Sequence, residues 1–199
     1  MGLIRVLLVD DHPAIVTGLA AAIAREEDVD VVGVATTLAE ARTALADLAP
    51  DVGLLDIRLP DGSGLDLLAE TATLCSWIIL STFEYPQYVA RAVKAGAAGY
   101  LLKTATLPEV LGAIRGVAAG GTAFPARYLD LAARTAIPSA RQLEVIRALA
   151  DGCSNEEIAS RVGLTTKTVE TYLSRMYAQF DAPSRTELAT RALREGWLE

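Results

Sequence analysis

The sequence predicts an α/β domain built on a parallel sheet, followed by a smaller, all-α domain of four helices. Two observations carry that prediction. Apolar, β-branched runs alternate five times with amphipathic, alanine-rich stretches over residues 1–120, and buried parallel strands are continuously apolar and need helical crossovers. After "AAGGTAFP", Ala118 to Pro125, the strand signals stop and only helical periodicity remains. The chain therefore divides into a first domain over 1–120, a linker over 121–137 and a second domain over 138–199.

In order, "IRVLLVD", "VDVVGVA", "DVGLLDI", "WIILSTF" and "GYLLK" read as the five strands. Stretches such as "TLAEARTALADLA" between them read as helices, with capping boxes pairing Thr37 with Glu40 and Thr106 with Glu109. The linker "ARYLDLAARTAIP" is in part helical. "SARQLEVIRALADG", "NEEIASRVG", "TKTVETYLSRMYAQF" and "RTELATRALREGW" are the four C-terminal helices. Their starts pair Ser139 with Gln142, Ser154 with Glu157 and Ser184 with Glu187.

Composition narrows the function classes. The chain has 199 residues, 52% hydrophobic, which suffices for two cores and excludes a disordered tail. Cys75 and Cys153 lack metal-ligand spacing and suit a reducing compartment. No apolar run approaches the roughly 20 residues of a membrane span, and "MGLIRVLLVDD" lacks a signal peptide's basic start. The expectation is a cytoplasmic protein with no membrane partner. Residues 1–137 carry 10 Lys and Arg against 16 Asp and Glu, whereas residues 138–199 carry 8 against 9. The acidity thus lies in the first domain, and neither part has the basic footprint that announces nucleic acid by charge alone.

In an open parallel sheet the functional crevice lies beyond the carboxyl ends of the strands. The first strand ends at Asp10 and Asp11, the third at Asp56, the fourth at Ser81 and the fifth at Lys103. Three converging carboxylates repel one another unless a cation sits among them, and a hard ion such as Mg²⁺ fits oxygen ligands best. A carboxylate, a lysine, a hydroxyl and a metal make a phosphoryl-transfer set. The glycines of "LPDGSG" allow the tight turn that leaves Asp56 open to a donor. His12, the only histidine, is expected to pack in its loop, because no second histidine or paired cysteine accompanies it.

"LLVDDHPAIVTGL", "LLDIRLPDGSGLDLL" and "AGAAGYLLK" resemble the receiver domain of two-component response regulators, and "SNEEIASRVGLTTKTVETYLSRMYAQF" resembles the LuxR-type helix-turn-helix. Together they resemble the NarL/FixJ class over nearly the whole chain. The resemblance implies a flavodoxin-like, doubly wound sheet of order 2-1-3-4-5. It implies Asp56 as phosphoacceptor, and Asp10, Asp11, Asp56 and the Arg58 backbone carbonyl as Mg²⁺ ligands. Ser81 becomes the switch hydroxyl, Tyr100 the switch aromatic and Lys103 the phosphate-pairing lysine. The implied donor is a sensor histidine kinase, and the implied output is transcription regulation, not enzymatic turnover. A Mg²⁺-dependent aspartyl-phosphate phosphatase is the enzymatic alternative. Such enzymes carry a second aspartate two residues after the nucleophile, where this chain has Arg58. A constitutive, phosphorylation-independent regulator is the other alternative, and the intact acidic set stands against it.

In the third C-terminal helix, Val169, Leu173, Met176 and Phe180 recur at helical spacing and are expected in the core. Thr166, Lys167, Glu170, Thr171, Ser174 and Arg175 then form the expected contact set for double-stranded promoter DNA. Glu170 departs from the family's usual lysine; it repels phosphate but can accept from a cytosine amino group. Asp181 stands where a glycine commonly ends this helix, and a short polar side chain tolerates the left-handed conformation. Finally, "PAIVTGLAAAIAR" is apolar almost all round. With Ile15, Leu19, Ala22 and Ile23 on the sheet, Val16, Ala20, Ala21 and Ala24 are expected outward, as one side of a homodimer formed on phosphorylation.

Overall fold

A computed structural model describes residues 2–198, apart from the side chains of Leu131 and Arg134. The elements run β1 (Ile4–Val9), α1 (Pro13–Ile23), β2 (Val29–Ala35), α2 (Leu38–Leu48) and β3 (Val52–Leu55). A small antiparallel hairpin, β4 (Arg58–Leu59) and β5 (Gly62–Ser63), leads into α3 (Gly64–Thr71), β6 (Ser76–Ser81), α4 (Pro86–Ala95), β7 (Gly99–Leu102) and α5 (Leu107–Ala118). There follow α6 (Ala126–Arg134), α7 (Ala140–Ala150), α8 (Asn155–Val162), α9 (Thr166–Gln179) and α10 (Arg185–Arg194).

The five long strands pair in parallel in the order β2-β1-β3-β6-β7, which is the predicted 2-1-3-4-5 once the hairpin is set aside. The central β3 is buried at every position, as its unbroken apolar run requires. Val6, Leu8, Val52, Leu54 and Ile78 join Ile23, Val110 and Ile114 in one core beneath α1 and α5.

That packing corrects the expected outward face of α1. Val16 and Ala20 are half-buried against this core, while Ala21 and Ala24 are exposed. The helix touches both the sheet and α5, so its covered arc takes in two adjacent rows, Ile15–Leu19–Ala22 and Val16–Ala20–Ile23. Its all-round apolar character is in large part the signature of that wide arc.

The chain divides into two compact units, the first made of residues up to Glu84 and Val89–Ala133, the second of Tyr85–Tyr88 and the chain from Arg134 on. The segment expected as linker is thus partly built into the first unit. Ala123 bridges to Gly99 on the edge strand β7, accepts from the Tyr100 N–H at 3.1 Å and donates to the Ala98 carbonyl at 2.8 Å. α6 follows at once.

In the second unit α7–α10 enclose Val145, Ile146, Leu149, Ile158, Val169, Leu173, Met176 and Leu188, with Phe180 and Trp197 ring to ring at 4.7 Å. The capping boxes at Ser139 and Ser154 are formed. At Thr37 the box is only half formed, because the Glu40 carboxylate reaches back to Thr36 instead.

Candidate functional site

Each residue of the acidic crevice is held by the strand end it terminates. The Asp10 N–H donates to Ala35 and the Asp56 N–H to Val9, so the ladder itself carries both carboxylates to the carboxyl edge. Asp10 and Asp56 are buried, at 4% and 5% exposure, whereas Asp11 lies half out. The Ile57 N–H donates to Asp56 Oδ1 at 2.7 Å, which fixes that carboxylate in the plane of the turn. Behind it, Gly64 lets the chain fold back: a Cβ there would lie 2.0 Å from the Asp56 carbonyl oxygen. The turn is pinned from outside by Asp61, whose two oxygens accept from the N–H groups of Leu38 and Ala39 at the start of α2.

Lys103 reaches this centre from the end of β7. Its Nζ lies 2.6 Å from Asp56 Oδ2 and 2.7 Å from Asp10 Oδ2, with only 6% of the side chain exposed. Burial pushes the Asp56 carboxyl above the usual carboxylate range, and the Lys103 hydrogen bond offsets part of that rise. The ammonium donates its hydrogen bond to Asp56 and stands at ion-pair distance from Asp10. Asp10 Oδ2, although close, has no hydrogen-bond donor in line with it, and neither has Asp11 Oδ1. Buried carboxylate oxygens without donors are costly, and a divalent cation on hard oxygen ligands is the natural remedy, so the set fits Mg²⁺.

At the other side of the crevice, Ser81 is buried at the end of β6 and its Oγ accepts from the Phe83 N–H at 3.1 Å. Tyr100 is fully buried and its hydroxyl donates to the Phe83 carbonyl at 2.7 Å. Ser81 and Tyr100 therefore hold the N–H and the carbonyl of one residue, Phe83. The Arg58 guanidinium, outside the crevice, stacks over the Phe83 ring at 4.9 Å.

Three features were missed by reading the sequence. His12 does not simply pack in its loop: its Nδ1 lies among Asp10, Asp11 and Asp56. Tyr128, in the supposed linker, is buried and meets Tyr100 edge to face. The role of Asp61 as a cap for a distant helix had no local signal, because its partners lie 22 and 23 residues away.

The second unit presents a separate surface. α8 ends at Gly163 in the left-handed conformation (φ 65°), and Thr165 caps α9. On α9, Val169, Leu173 and Met176 are buried, while Lys167, Glu170, Thr171, Ser174 and Arg175 are exposed and Thr166 is half-exposed. Lys167 and Glu170 form a loose pair at 3.7 Å. Asp181 takes the left-handed conformation expected of it (φ 44°).

A doubly wound sheet with an acidic, lysine-bearing crevice, followed by a helix-turn-helix, defines a receiver joined to a DNA-binding module. Residues 6–115 match the response regulator receiver domain, and residues 138–192 match the luxR family of bacterial regulatory proteins. The chain belongs to the two-component response regulators of the NarL/LuxR type. It is 34% identical over 199 residues to the transcriptional regulatory protein DesR of Bacillus subtilis strain 168, covering 99% of this chain and all of DesR. It is 33% identical to the DNA-binding transcriptional activator DevR/DosR of Mycobacterium tuberculosis strain H37Rv, over 96% of this chain and 94% of that one. Among solved structures, the response regulator ChrA of a heme-sensing two-component system aligns over 99% of this chain and 100% of its own, with a TM-score of 0.57 and 28% identity. RcsB, solved as two dimers bound to two parallel DNAs, shares the fold with a TM-score of 0.69 over 98% of this chain and 99% of its own, at 22% identity.

Proposed function

We propose that this regulator is switched by transfer of a phosphoryl group from a sensor histidine kinase to Asp56, and that the phosphorylated form dimerises and binds promoter DNA from the cytoplasm. The observation that carries the reading is Lys103 bridging Asp56 and Asp10 at 2.6 and 2.7 Å. A lysine so placed holds the carboxylate ready and faces the phosphoryl oxygens once they arrive.

Asp56 supplies the attacking oxygen; its bond to phosphorus forms as the bond from phosphorus to the donor's histidine nitrogen breaks. The Ile57 N–H on Oδ1 keeps the carboxylate from rotating. Asp10, Asp11, Asp56 and the Arg58 carbonyl would hold Mg²⁺, which supplies positive charge against the phosphoryl oxygens. Lys103 then exchanges part of its pairing with Asp56 for a phosphoryl oxygen. The Ser81 hydroxyl donates to another oxygen, which draws on the Phe83 backbone that Ser81 and Tyr100 share. For the output, Lys167 and Arg175 meet phosphates, while Thr166, Glu170, Thr171 and Ser174 face base edges. RcsB provides a precedent for paired copies on DNA.

The test is incubation of the full chain with acetyl phosphate and Mg²⁺. Intact mass should show one added phosphoryl group, absent in Asp56→Asn. Equal labelling of that variant would reject Asp56 as the acceptor.

A further inference from the structure

His12 occupies the N-cap position of α1, yet its side chain makes no cap hydrogen bond. Its backbone N–H instead donates to Asp10 Oδ1 at 2.9 Å, which turns the residue back over the crevice. The ring Nδ1 consequently lies 3.0 Å from Asp10 Oδ1, 2.9 Å from Asp11 Oδ1 and 3.8 Å from Asp56 Oδ2. Lys103 Nζ is 3.4 Å away. A ring nitrogen and a carboxylate oxygen repel at such distances unless a proton or a metal ion lies between them.

One ligand atom from each of Asp10, Asp11, His12 and Asp56 fits within a span of 4.8 Å. Two atoms bound to one ion lie at most twice the bond length apart, roughly 4–5 Å for bonds of about 2.0–2.4 Å. The span therefore matches one shared ion. A second observation points the same way: the Asp10 side chain is 6% exposed, and its Oδ2, although Lys103 Nζ lies 2.7 Å away, receives no hydrogen bond in line.

We infer that His12 Nδ1 is a direct ligand of the divalent ion in this crevice, and that it biases the site toward later first-row ions such as Co²⁺ and Ni²⁺ over Mg²⁺. The inference rests on the crevice being a metal site, as in the reading above, and adds a nitrogen to a ligand set otherwise made of oxygen. Imidazole nitrogen strengthens binding of later first-row ions far more than of Mg²⁺, which prefers oxygen and keeps its waters. With its side chain 59% exposed, the ring has room to adjust to the ion without disturbing the core.

Mn²⁺ and Co²⁺ are the probes, with the full chain. Pulsed electron paramagnetic resonance should show ¹⁴N modulation from an imidazole on bound Mn²⁺, and His12→Asn should abolish it. Asparagine is itself a favoured N-cap residue, so α1 should survive the change. Titration should show Co²⁺ affinity falling about tenfold in His12→Asn, with Mg²⁺ affinity changing less than about twofold. Bound Mn²⁺ without ¹⁴N modulation, or equal losses for Co²⁺ and Mg²⁺, overturns the His12 ligand while leaving the carboxylate site intact. Mn²⁺ binding that survives in Asp11→Ala, or no binding in the wild type, overturns the metal site and the inference with it.

Discussion

Tyr100 and Tyr128 meet edge to face, with ring centroids 5.4 Å apart and planes at 84°. Both are almost wholly buried, one on β7 and the other on α6. The Arg127 guanidinium stacks on the Tyr128 ring at 4.9 Å and pairs with Glu84 at 2.8 Å, one residue beyond the Phe83 carbonyl that Tyr100 holds. Truncating a buried aromatic ring costs about 3 kcal/mol or more, so Tyr128→Ala should lower unfolding stability by that order. A double-mutant cycle with Tyr100→Ala should yield a coupling of about 0.5–1.5 kcal/mol. Additive losses by chemical denaturation would mean that the rings merely share a neighbourhood.

Lys103 is the one cation set between two buried carboxylates among the described residues. Lys103→Ala leaves both unpaired, and breaking such a pair costs about 3–5 kcal/mol. The loss should be largest without divalent ions and shrink as Mg²⁺ is added, because a cation among Asp10, Asp11 and Asp56 replaces the missing charge. Thermal melts with and without chelator check this. The variant should still accept phosphate to a measurable degree, yet fail to change oligomeric state.

How much of this was legible beforehand differs by element. The parallel five-stranded sheet followed from five apolar runs and their crossovers, because such runs have no other way to be buried, whereas the strand order 2-1-3-4-5 came only with the resemblance to the receiver family. Asp10, Asp11, Asp56, Ser81 and Lys103 were legible as strand-end residues, since strand ends define the crevice. His12 was not, because its position depends on a hydrogen bond from its own backbone to Asp10, which no spacing announces. Val16 and Ala20 were placed outward on a single-stripe picture of α1, and contact with α5 widened the stripe. Tyr128 sat in a stretch whose composition gave no hint that Ala123 would extend the edge of the sheet.

The acid limb of stability should report on Asp61. The Leu38 N–H, and after it the Ala39 N–H, hold its carboxyl below the usual value of 3.8. A depressed folded-state value means that the stabilisation is present above the unfolded value and is lost as pH falls through the folded one. Asp61→Ala should therefore be less stable than the wild type at neutral pH. The gap should close progressively below about pH 4. A gap independent of pH would show that Asp61 acts through packing and not through its charge.

On α9, Arg175 and Thr171 are exposed on the same helix but should fail differently. Arg175→Ala should weaken binding to all DNA sequences and reduce the slope of affinity against salt by about one. Thr171→Ala should instead alter sequence preference, with a cost of about 1–3 kcal/mol confined to particular bases. Binding titrations over a range of salt and a small set of sites separate the two. Two silent variants would move the DNA contact off this face of α9.

The homodimer proposed for the phosphorylated state needs a different probe from Val16. That side chain is half-buried in the receiver core, so a charge there would unfold the domain and say nothing about assembly. Ala21 is the better position: it is exposed, and with Ala14, Thr17, Gly18 and Ala24 it forms an uncharged row on α1. α5, which touches α1, exposes Gly112 and Gly116, so small residues line both helices where a second copy can approach closely. Ala21→Glu should leave the receiver's melting temperature and Asp56 phosphorylation unchanged, because an exposed helical alanine tolerates glutamate at a cost of a few tenths of a kcal/mol. Two like charges would then face each other across a two-fold axis, and light scattering of the phosphorylated variant should report a monomer where the wild type reports a dimer. A phosphorylated Ala21→Glu protein that still dimerises would shift the interface to α4 and the edge strand β7.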